Sequence, residues 1–272
     1  MAYSNAHSNN ETSDRAGGPA LLALDTSSGP ASMVLLRGGD SRIGRASGSE
    51  EQRSDAILSD LDLLLRSAGV GIKDIDAFGV CVGPGSFTGL RIGLACVKGL
   101  AVAAGRPVIG VTSLEAVAAG ALAQGRVLSM IRAYKGEVYS QLFSVRAAGA
   151  PVPESDPSVT SPEAAVEQAK DFEDVVFVGD GAVDSIELIK RIGGSRFTGV
   201  AGGQAARGGW VASEPLAPRA VSVSEIALER FLRGEVEDPE TLRACYVRPS
   251  EAEIKLSQGL LGSKIRRSAG RE

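Results

Sequence analysis

The hydrophobic residues near the start of the chain form short apolar runs and then a longer stretch with helical spacing. Residues 20–24, 32–36 and 42–46 are apolar or alternating runs separated by polar turns, so they predict three strands, the first two of which form a hairpin. Residues 54–68 carry apolar side chains on one helical face and predict an amphipathic helix that ends at Gly69. The chain therefore begins with strands and then changes to helical periodicity.

The central stretch, residues 75–104, joins a strand, a glycine turn and a helix with almost no linker. It reads IDAFGVCVGPGSFTGLRIGLACVKGLAVAA. The apolar run at 75–82 predicts a strand, and residues 88–104 predict a helix that ends at Gly105. Such an arrangement presents a helix N-terminus at the edge of a sheet.

The rest of the chain repeats the alternation of strands and helices. The pattern predicts strands at 107–111, 126–132, 137–145 and 175–178, and helices at 112–123, from Ser161, at 183–192 and at 222–233. Residues 147–157 and 193–220 are interpreted as loops. This order predicts an α/β protein with two related halves that divide near residues 110–113.

We divide the chain accordingly. The predicted parts are a disordered tail at 1–19, a first domain at 20–112, a second domain at 113–221, a helix and segment at 222–248 that return to the first domain, and a polar tail at 249–272. The first tail lacks the apolar core of a signal peptide, and no uncharged apolar run reaches the length of about 18 residues that a spanning helix needs. A cytoplasmic protein without membrane contact is expected.

Composition narrows the classes of function. The 272 residues carry a formal net charge of −4, and 43% of them are hydrophobic, which suits a globular protein rather than a nucleic-acid binder that acts alone. The cysteines Cys81, Cys96 and Cys245 are odd in number and widely spaced, which favours a reducing compartment over a disulfide framework. No CxxC motif occurs, so a cysteine zinc site is not expected.

Histidine is almost absent from this sequence. The only one, His7, lies in the polar N-terminal tail. This excludes Ser-His-Asp and Cys-His hydrolysis, and HExxH metal sites, from the predicted folded part. We assign no metal site and no catalytic residue to this chain.

The glycine loop at residues 83–89, GPGSFTG, matches neither standard phosphate-binding motif. It lacks the Lys-Ser/Thr of a Walker A loop, and Thr88 stands where GxGxxG needs its third glycine. Two interpretations remain: a nest of backbone N–H groups that binds an anion at a helix start, or a tight turn that needs glycine conformations. For residues 25–28, DTSS, the sequence favours an Asx/Ser turn that closes a hairpin over a phosphate-binding turn. The candidate anion- or nucleotide-binding residues are Asp25, Thr26, Ser27, Gly85, Ser86 and Thr88.

The helix at 88–104 is unusually rich in small residues. It contains Gly89, Gly93 and Gly99, each of which costs roughly 1 kcal/mol relative to alanine in a helix interior. Its only charged residues are Arg91 and Lys98. The helix is therefore either packed closely on the protein's own sheet or half covered by a partner protein.

Three stretches together resemble the TsaB family. LLALDTSS at 21–28, GPGSFTGLRIG at 83–93 and KGEVYSQLF at 135–143 occur in the order and at the spacing of that family, and the similarity extends over residues 20–247. TsaB is the non-catalytic subunit of the bacterial complex that makes tRNA threonylcarbamoyladenosine. The sequence departs from the family pattern at Arg53, Ser59, Arg132 and Tyr134.

The resemblance implies an actin-like (ASKHA, ribonuclease H-like) fold of two related domains. It implies pairing with TsaD through helices of the first domain, joined by TsaE, and tRNA contact only through the complex. The modified base is the adenosine beside the anticodon in tRNAs that read codons beginning with A. It further implies no cofactor of the chain's own, and ATP or ADP and a metal on the partner subunits. Self-pairing when TsaD is absent is expected on a different ground, because an uncovered apolar helix face favours it.

The helices that would carry this pairing supply the candidate partner-binding residues. They are Ile57, Leu58, Leu61, Leu65, Gly89, Arg91, Gly93 and Val97. On this hypothesis, a bulky Leu or Arg at Gly93 abolishes co-purification with TsaD and leaves the fold largely intact.

Two enzymatic alternatives stay open. An ASKHA-type nucleotide-dependent phosphotransferase would use residues 25–27 and 179–181 as phosphate loops, although no base is evident. A hydrolase would use Ser86 with Lys98, but these residues are about three helical turns apart.

Overall fold

Two β-sheets covered by helices form the framework of the chain. The computed structural model describes residues 18–38, 41–46, 53–147, 149–201, 208–215 and 219–247, so the predicted tails lie outside the described residues except for residues 18 and 19. The strands are β1 (Ala20–Asp25), β2 (Ser32–Arg37), β3 (Ser41–Ala46), β4 (Ala77–Gly83), β5 (Val108–Thr112), β6 (Gly125–Arg132), β7 (Val138–Val145), β8 (Val152–Pro153), β9 (Ser158–Thr160), β10 (Val175–Val178), β11 (Phe197–Ala201) and β12 (Trp210–Ser213). The α-helices are α1 (Arg53–Ser67), α2 (Phe87–Ala104), α3 (Ser113–Gly120), α4 (Pro162–Glu167), α5 (Asp180–Asp184), α6 (Ile186–Gly193) and α7 (Arg219–Leu232).

The two sheets repeat one arrangement. The first sheet has the order β3-β2-β1-β4-β5, in which β1, β2 and β3 are antiparallel neighbours and β4 and β5 run parallel to β1. The second has the order β11-β12-β10-β6-β7-β8, with an antiparallel β6–β7 pair and parallel strands β10, β12 and β11 beyond it. Each domain therefore has a hairpin side and a parallel side, which confirms the predicted α/β fold of two related halves.

Strand β1 is buried along its whole length because helices cover both faces of the first sheet. Leu22 and Leu24 enter a core with side chains of α1 and α2, whereas Leu21 and Ala23 enter a core with α7. Alternate residues of a strand point to opposite faces, so a continuous apolar run is what a doubly covered strand requires.

Helix α3 lies between the two sheets. Leu114 and Val117 pack with the second sheet, and Ala116 packs with the first. Glu115 of α3 pairs with Arg230 of α7 at 2.6 Å, and Arg230 also donates to the carbonyl oxygen of Gly110 at 2.7 Å. These contacts fix α7 at the junction of the domains, on the first sheet.

The prediction of loops at 147–157 and 193–220 was partly wrong. The stretch 147–157 contains β8, and 193–220 contains β11, β12 and the first residues of α7. Strand β12 depends on tertiary contacts, because Trp210 is fully buried against Phe177 and its indole N–H donates to the carbonyl oxygen of Phe172 at 3.0 Å. The predicted helix at 183–192 is instead two helices, α5 and α6, divided at Ser185.

Candidate functional site

A cleft of about 680 Å³ lies between the two domains. Its walls are formed by Ser27, Ser28, Gly29, Gly85, Ser86, Thr88, Gly89 and Ile92 of the first domain and by Ile131, Arg132, Ala133, Tyr134, Tyr139 and Asp180 of the second. The cleft thus joins the DTSS turn after β1 to the glycine loop before α2. Ser27, Gly85, Ser86 and Thr88 of the predicted anion-binding set line it, while Asp25 and Thr26 are buried beside it.

The DTSS turn is bonded to the first turns of α2. The Thr26 hydroxyl donates to the carbonyl oxygen of Gly89 at 2.7 Å, and the Ser86 amide donates to the carbonyl oxygen of Ser27 at 2.7 Å. The Ser86 hydroxyl accepts a hydrogen bond from the Gly89 amide at 3.2 Å, so Ser86 is the N-cap of α2. The loop and the turn therefore form one rigid unit at the edge of the sheet.

Three glycines allow the glycine loop and α2 to pack closely against the DTSS turn. A Cβ atom on Gly85 would overlap the carbonyl oxygen of Ser27, and one on Gly89 would overlap the carbonyl oxygen of Thr26. A Cβ atom on Gly93 would overlap the Thr26 hydroxyl. Gly89 and Gly93 therefore face the chain's own turn, which favours packing within the chain at these two positions, and their role as partner contacts stays a prediction.

Most predicted anion ligands are already engaged within the chain. The Asp25 carboxylate accepts the Ser27 amide at 2.8 Å, and the Ser27 hydroxyl accepts a hydrogen bond from the Arg219 guanidinium at 3.0 Å. Arg219 was missed by the sequence analysis, because it lies in a predicted loop and is brought here only by the return of α7. Anion binding at the cleft stays a prediction.

The second-domain wall carries an aspartate and an exposed ion pair. The Asp180 carboxylate accepts the amides of Arg132 and Gly181, each at 2.9 Å. The Arg132 guanidinium forms a bidentate ion pair with the Asp184 carboxylate, in which the distance from Nη2 to Oδ1 is 2.7 Å. This pairing lowers the pKa of the Asp184 carboxyl. Asp180 of the second predicted phosphate loop therefore reaches the same cleft as the DTSS turn.

Ser86 and Lys98 are not brought together. Ser86 caps α2, whereas the Lys98 ammonium donates to the carbonyl oxygen of Leu242 at 3.2 Å. The hydrolase hypothesis is contradicted by this separation. Among the described residues, no group of three or more His, Cys, Asp or Glu side chains is placed to hold a metal ion.

The helices that carry the predicted partner face are mostly covered by the chain itself. The buried members of the predicted set are Ile57, Leu61, Leu65, Gly89, Gly93 and Val97. Helix α1 and the inner face of α2 need these side chains for the first core, so they are not accessible in this chain by itself, and their contact with a partner stays a prediction. Leu58, which is 59% exposed, and Arg91 are the accessible members.

The outer face of α2 forms an exposed row that is mostly small and apolar. Phe87, Arg91, Ala95, Gly99 and Ala103 follow one another at intervals of four residues, and all are exposed. By length and apolar composition alone, α2 also meets the criterion for a membrane-crossing helix, although its inner face packs on β4 and the rest of the first core. We call these five residues the α2 row.

Comparison with known proteins places the chain in a family. The family model TsaD, tRNA N6-adenosine threonylcarbamoyltransferase, matches residues 49–254. The tRNA threonylcarbamoyladenosine biosynthesis protein TsaB of Escherichia coli is 31% identical over 240 residues, which cover 87% of this chain and 97% of that protein. The chain belongs to the TsaB family. This confirms the resemblance carried by the three sequence stretches.

Solved structures agree with the TsaB assignment. YeaZ from Pseudomonas aeruginosa superposes with a TM-score of 0.67 and 26% sequence identity. The superposition covers 84% of this chain and 99% of the YeaZ chain. A second structure from Pseudomonas aeruginosa is described as an uncharacterized protein with similarity to peptidase YeaZ. It has a TM-score of 0.69 and 28% sequence identity, over 85% of this chain and 100% of that protein's chain. With the repeated sheet order, these matches confirm the predicted actin-like fold of two related domains.

One local similarity points to the transferases. A tRNA N6-adenosine threonylcarbamoyltransferase of Nitratidesulfovibrio vulgaris is 49% identical to this TsaB-family chain over 55 residues, which are 20% of this chain and 15% of the transferase. The match to that transferase covers little of either chain, whereas the TsaD family model and the Escherichia coli TsaB protein each match most of this chain.

The cysteine nearest the cleft lies beneath the DTSS turn and is expected to be unreactive. Cys81 of β4 is buried, and burial, together with the negative charge of Asp25, raises the pKa of its thiol far above the usual range. A thiol without thiolate character does not attack electrophiles. We expect Cys96 and Cys245, which are only partly buried, to react with a maleimide in the native protein, and Cys81 to react only after unfolding.

Mass spectrometry of peptides from native and denatured samples measures this order. Burial also raises the pKa of Cys96 and Cys245, so their labelling should be slower than that of a free thiol and should speed up as the pH rises. Labelling of Cys81 in the native protein as fast as that of Cys245 would contradict the burial argument.

Proposed function

We propose that this chain is a non-catalytic subunit that pairs with a TsaD-type threonylcarbamoyltransferase, and with TsaE, in tRNA threonylcarbamoyladenosine biosynthesis. The TsaB protein of Escherichia coli, which matches 87% of the chain, is named for that biosynthesis, and a Haemophilus influenzae protein of the same name matches 44% of the chain. The complex would modify the adenosine beside the anticodon in tRNAs that read codons beginning with A, and tRNA would be contacted only through the complex.

The observation that carries the pairing is the exposed outer face of α2. A helix whose outer side is mostly small and apolar leaves nonpolar surface in water, and such surfaces usually mark interaction sites. Leu58 and Leu63 of α1, and Val102 of α2, add large exposed apolar side chains on these two helices. A stable pairing would bury about 1,600 Å² in total.

The hydrogen bonds beside the cleft are compatible with a subunit that has no nucleotide site of its own. The Thr26 hydroxyl donates to the Gly89 carbonyl oxygen, and the Asp25 carboxylate and the Ser86 hydroxyl each accept a backbone amide, so these predicted anion ligands are paired within the chain. On the family resemblance, ATP or ADP and a metal are held by the partner subunits. Without TsaD, the same exposed face would favour self-pairing.

Size measurement with and without the partner tests this proposal. We expect size-exclusion chromatography with light scattering to show a one-to-one complex when the full chain is mixed with TsaD from the same organism. The chain alone should run as a monomer or homodimer that TsaD converts to the mixed complex. If both proteins elute separately at concentrations well above micromolar, the proposed pairing is wrong.

The phosphotransferase remains a second candidate because of one observation. The DTSS turn and Asp180 line opposite walls of the same cleft of about 680 Å³, as two phosphate loops would. Calorimetry of the isolated chain with ATP and magnesium separates the candidates. We expect no turnover, whereas tight binding accompanied by phosphate transfer would favour the phosphotransferase.

A further inference from the structure

An exposed cluster of two aromatic rings and a cation lies at the start of α2. The rings of Phe87 and Tyr246 are tilted by 37° with centroids 5.5 Å apart, and the Arg91 guanidinium carbon lies 3.8 Å from the Phe87 centroid. Phe87 is 39% exposed and Tyr246 is 46% exposed. We call Phe87, Arg91 and Tyr246 the aromatic cluster.

Tyr246 is held in place by the C-terminal segment, residues 236–246. The backbone of Glu237 pairs with Val108 at the edge of the first sheet, and Leu242 is buried in the first core. The Cys245 amide then donates to the carbonyl oxygen of Val82 at 2.7 Å. The Tyr246 ring is therefore fixed before any partner arrives, which lowers the entropy cost of binding.

The cluster is continuous with the α2 row. Phe87 and Arg91 are its first two members, and the small residues Ala95, Gly99 and Ala103 follow them. The whole row, from Phe87 to Ala103, spans about 24 Å of helix. Small side chains let another helix approach closely, while a large ring at the end of the row gives a fixed point of contact. Phe, Tyr and Arg are also residue types that are enriched in the cores of interfaces.

Charge indicates which partner fits. The only charged residues of α2, Arg91 and Lys98, are both positive. Pairing α2 with its own copy would bring these like charges together, whereas a partner helix with a carboxylate opposite Arg91 would be attracted. Among the described residues, Arg91 has no acidic partner within salt-bridge distance, and its guanidinium lies over the Phe87 ring.

We propose that the aromatic cluster is the energetic anchor of the partner face and that the C-terminal segment positions it. The occupant is a helix of the TsaD partner that lies along the α2 row and presents an acidic side chain to Arg91. This inference rests on the proposed function and adds to it the residues that determine affinity and the preference for TsaD over a second copy.

Affinity measurements on full-length variants with TsaD test the anchor. Phe87→Ala and Tyr246→Ala should each weaken binding about tenfold or more, as truncation of an aromatic hot-spot residue does. The double variant should lose less than the product of the two single losses, because the rings contact each other. Arg91→Glu should weaken binding more than Arg91→Ala, since it places like charges opposite one another.

Controls separate anchoring from folding. Tyr246→Phe keeps the ring and should retain affinity, and Val200→Ala, an exposed apolar residue of the second domain, should have no effect. All variants should keep the wild-type melting temperature within a few degrees, since both rings are already partly in water.

The measurements distinguish failure of the proposed anchor from failure of the proposed function. If wild-type protein binds TsaD and the cluster variants bind equally well, the anchor is wrong while the proposed function stands. If wild-type protein does not bind TsaD, the proposed function itself fails. If the variants weaken only self-association, measured by sedimentation of the chain alone, the cluster is a self-pairing surface and the inference is overturned.

Discussion

Gly89→Ala should destabilise the protein by more than about 3 kcal/mol, at or above the upper end of overpacking effects. The added methyl group would overlap the carbonyl oxygen of Thr26, which is backbone and cannot rotate away. Moving it would also break the hydrogen bond from the Thr26 hydroxyl to the Gly89 carbonyl oxygen. Denaturant unfolding followed by circular dichroism measures the loss, which should appear as a lower midpoint with little change in slope.

Gly99→Ala is the matched control for this substitution. Gly99 lies in the same helix, but a Cβ atom there meets no other atom within 4 Å. Alanine should therefore stabilise the protein by up to about 1 kcal/mol through helix propensity. Equal stability of the two variants would show that α2 is not fixed against the DTSS turn in the way described.

Gly99→Glu should abolish pairing with TsaD and leave the fold unchanged. The position is exposed in the middle of the α2 row, so glutamate fits the monomer and is a better helix former than glycine. At a close helix contact, its bulk and the cost of burying its negative charge should weaken binding at least about a hundredfold, or about 2.7 kcal/mol. Titration calorimetry or surface plasmon resonance with TsaD measures the change.

Two control variants show whether the loss of pairing in Gly99→Glu depends on the size of the side chain and on its position. Gly99→Ala should retain pairing, because a methyl group still permits a close approach. Ala164→Glu introduces the same side chain on an exposed helix position of the second domain and should bind TsaD like the wild type. Undiminished pairing of Gly99→Glu would exclude the outer face of α2 from the interface.

These variants replace the experiment that the sequence suggested. Gly93 was predicted to be a partner contact whose enlargement spares the fold, but its Cβ position overlaps the Thr26 hydroxyl in the interior. A bulky residue there is expected to disturb folding, and its effect on pairing would be uninterpretable. The loss of pairing must be tested on the outer face instead.

The sequence determined much of the local structure and the family. Apolar runs located β1, β4, β6 and β7, and the glycine loop with Ser86 located the start of α2. The order and spacing of three motifs were sufficient for the TsaB assignment. These features depend on residues close together in the chain, or on residue identities in a fixed order, so they can be predicted without coordinates.

Only the tertiary structure decided which faces are covered. Helical periodicity marked Ile57 and Leu58 as one apolar face, but the packing of α1 buries the first and exposes the second. The glycines of α2 look alike in sequence, yet Gly93 meets Thr26 while Gly99 meets no other atom within 4 Å. Periodicity shows that a face is apolar, but what covers that face depends on distant elements, here the DTSS turn, the returning α7 and the C-terminal segment.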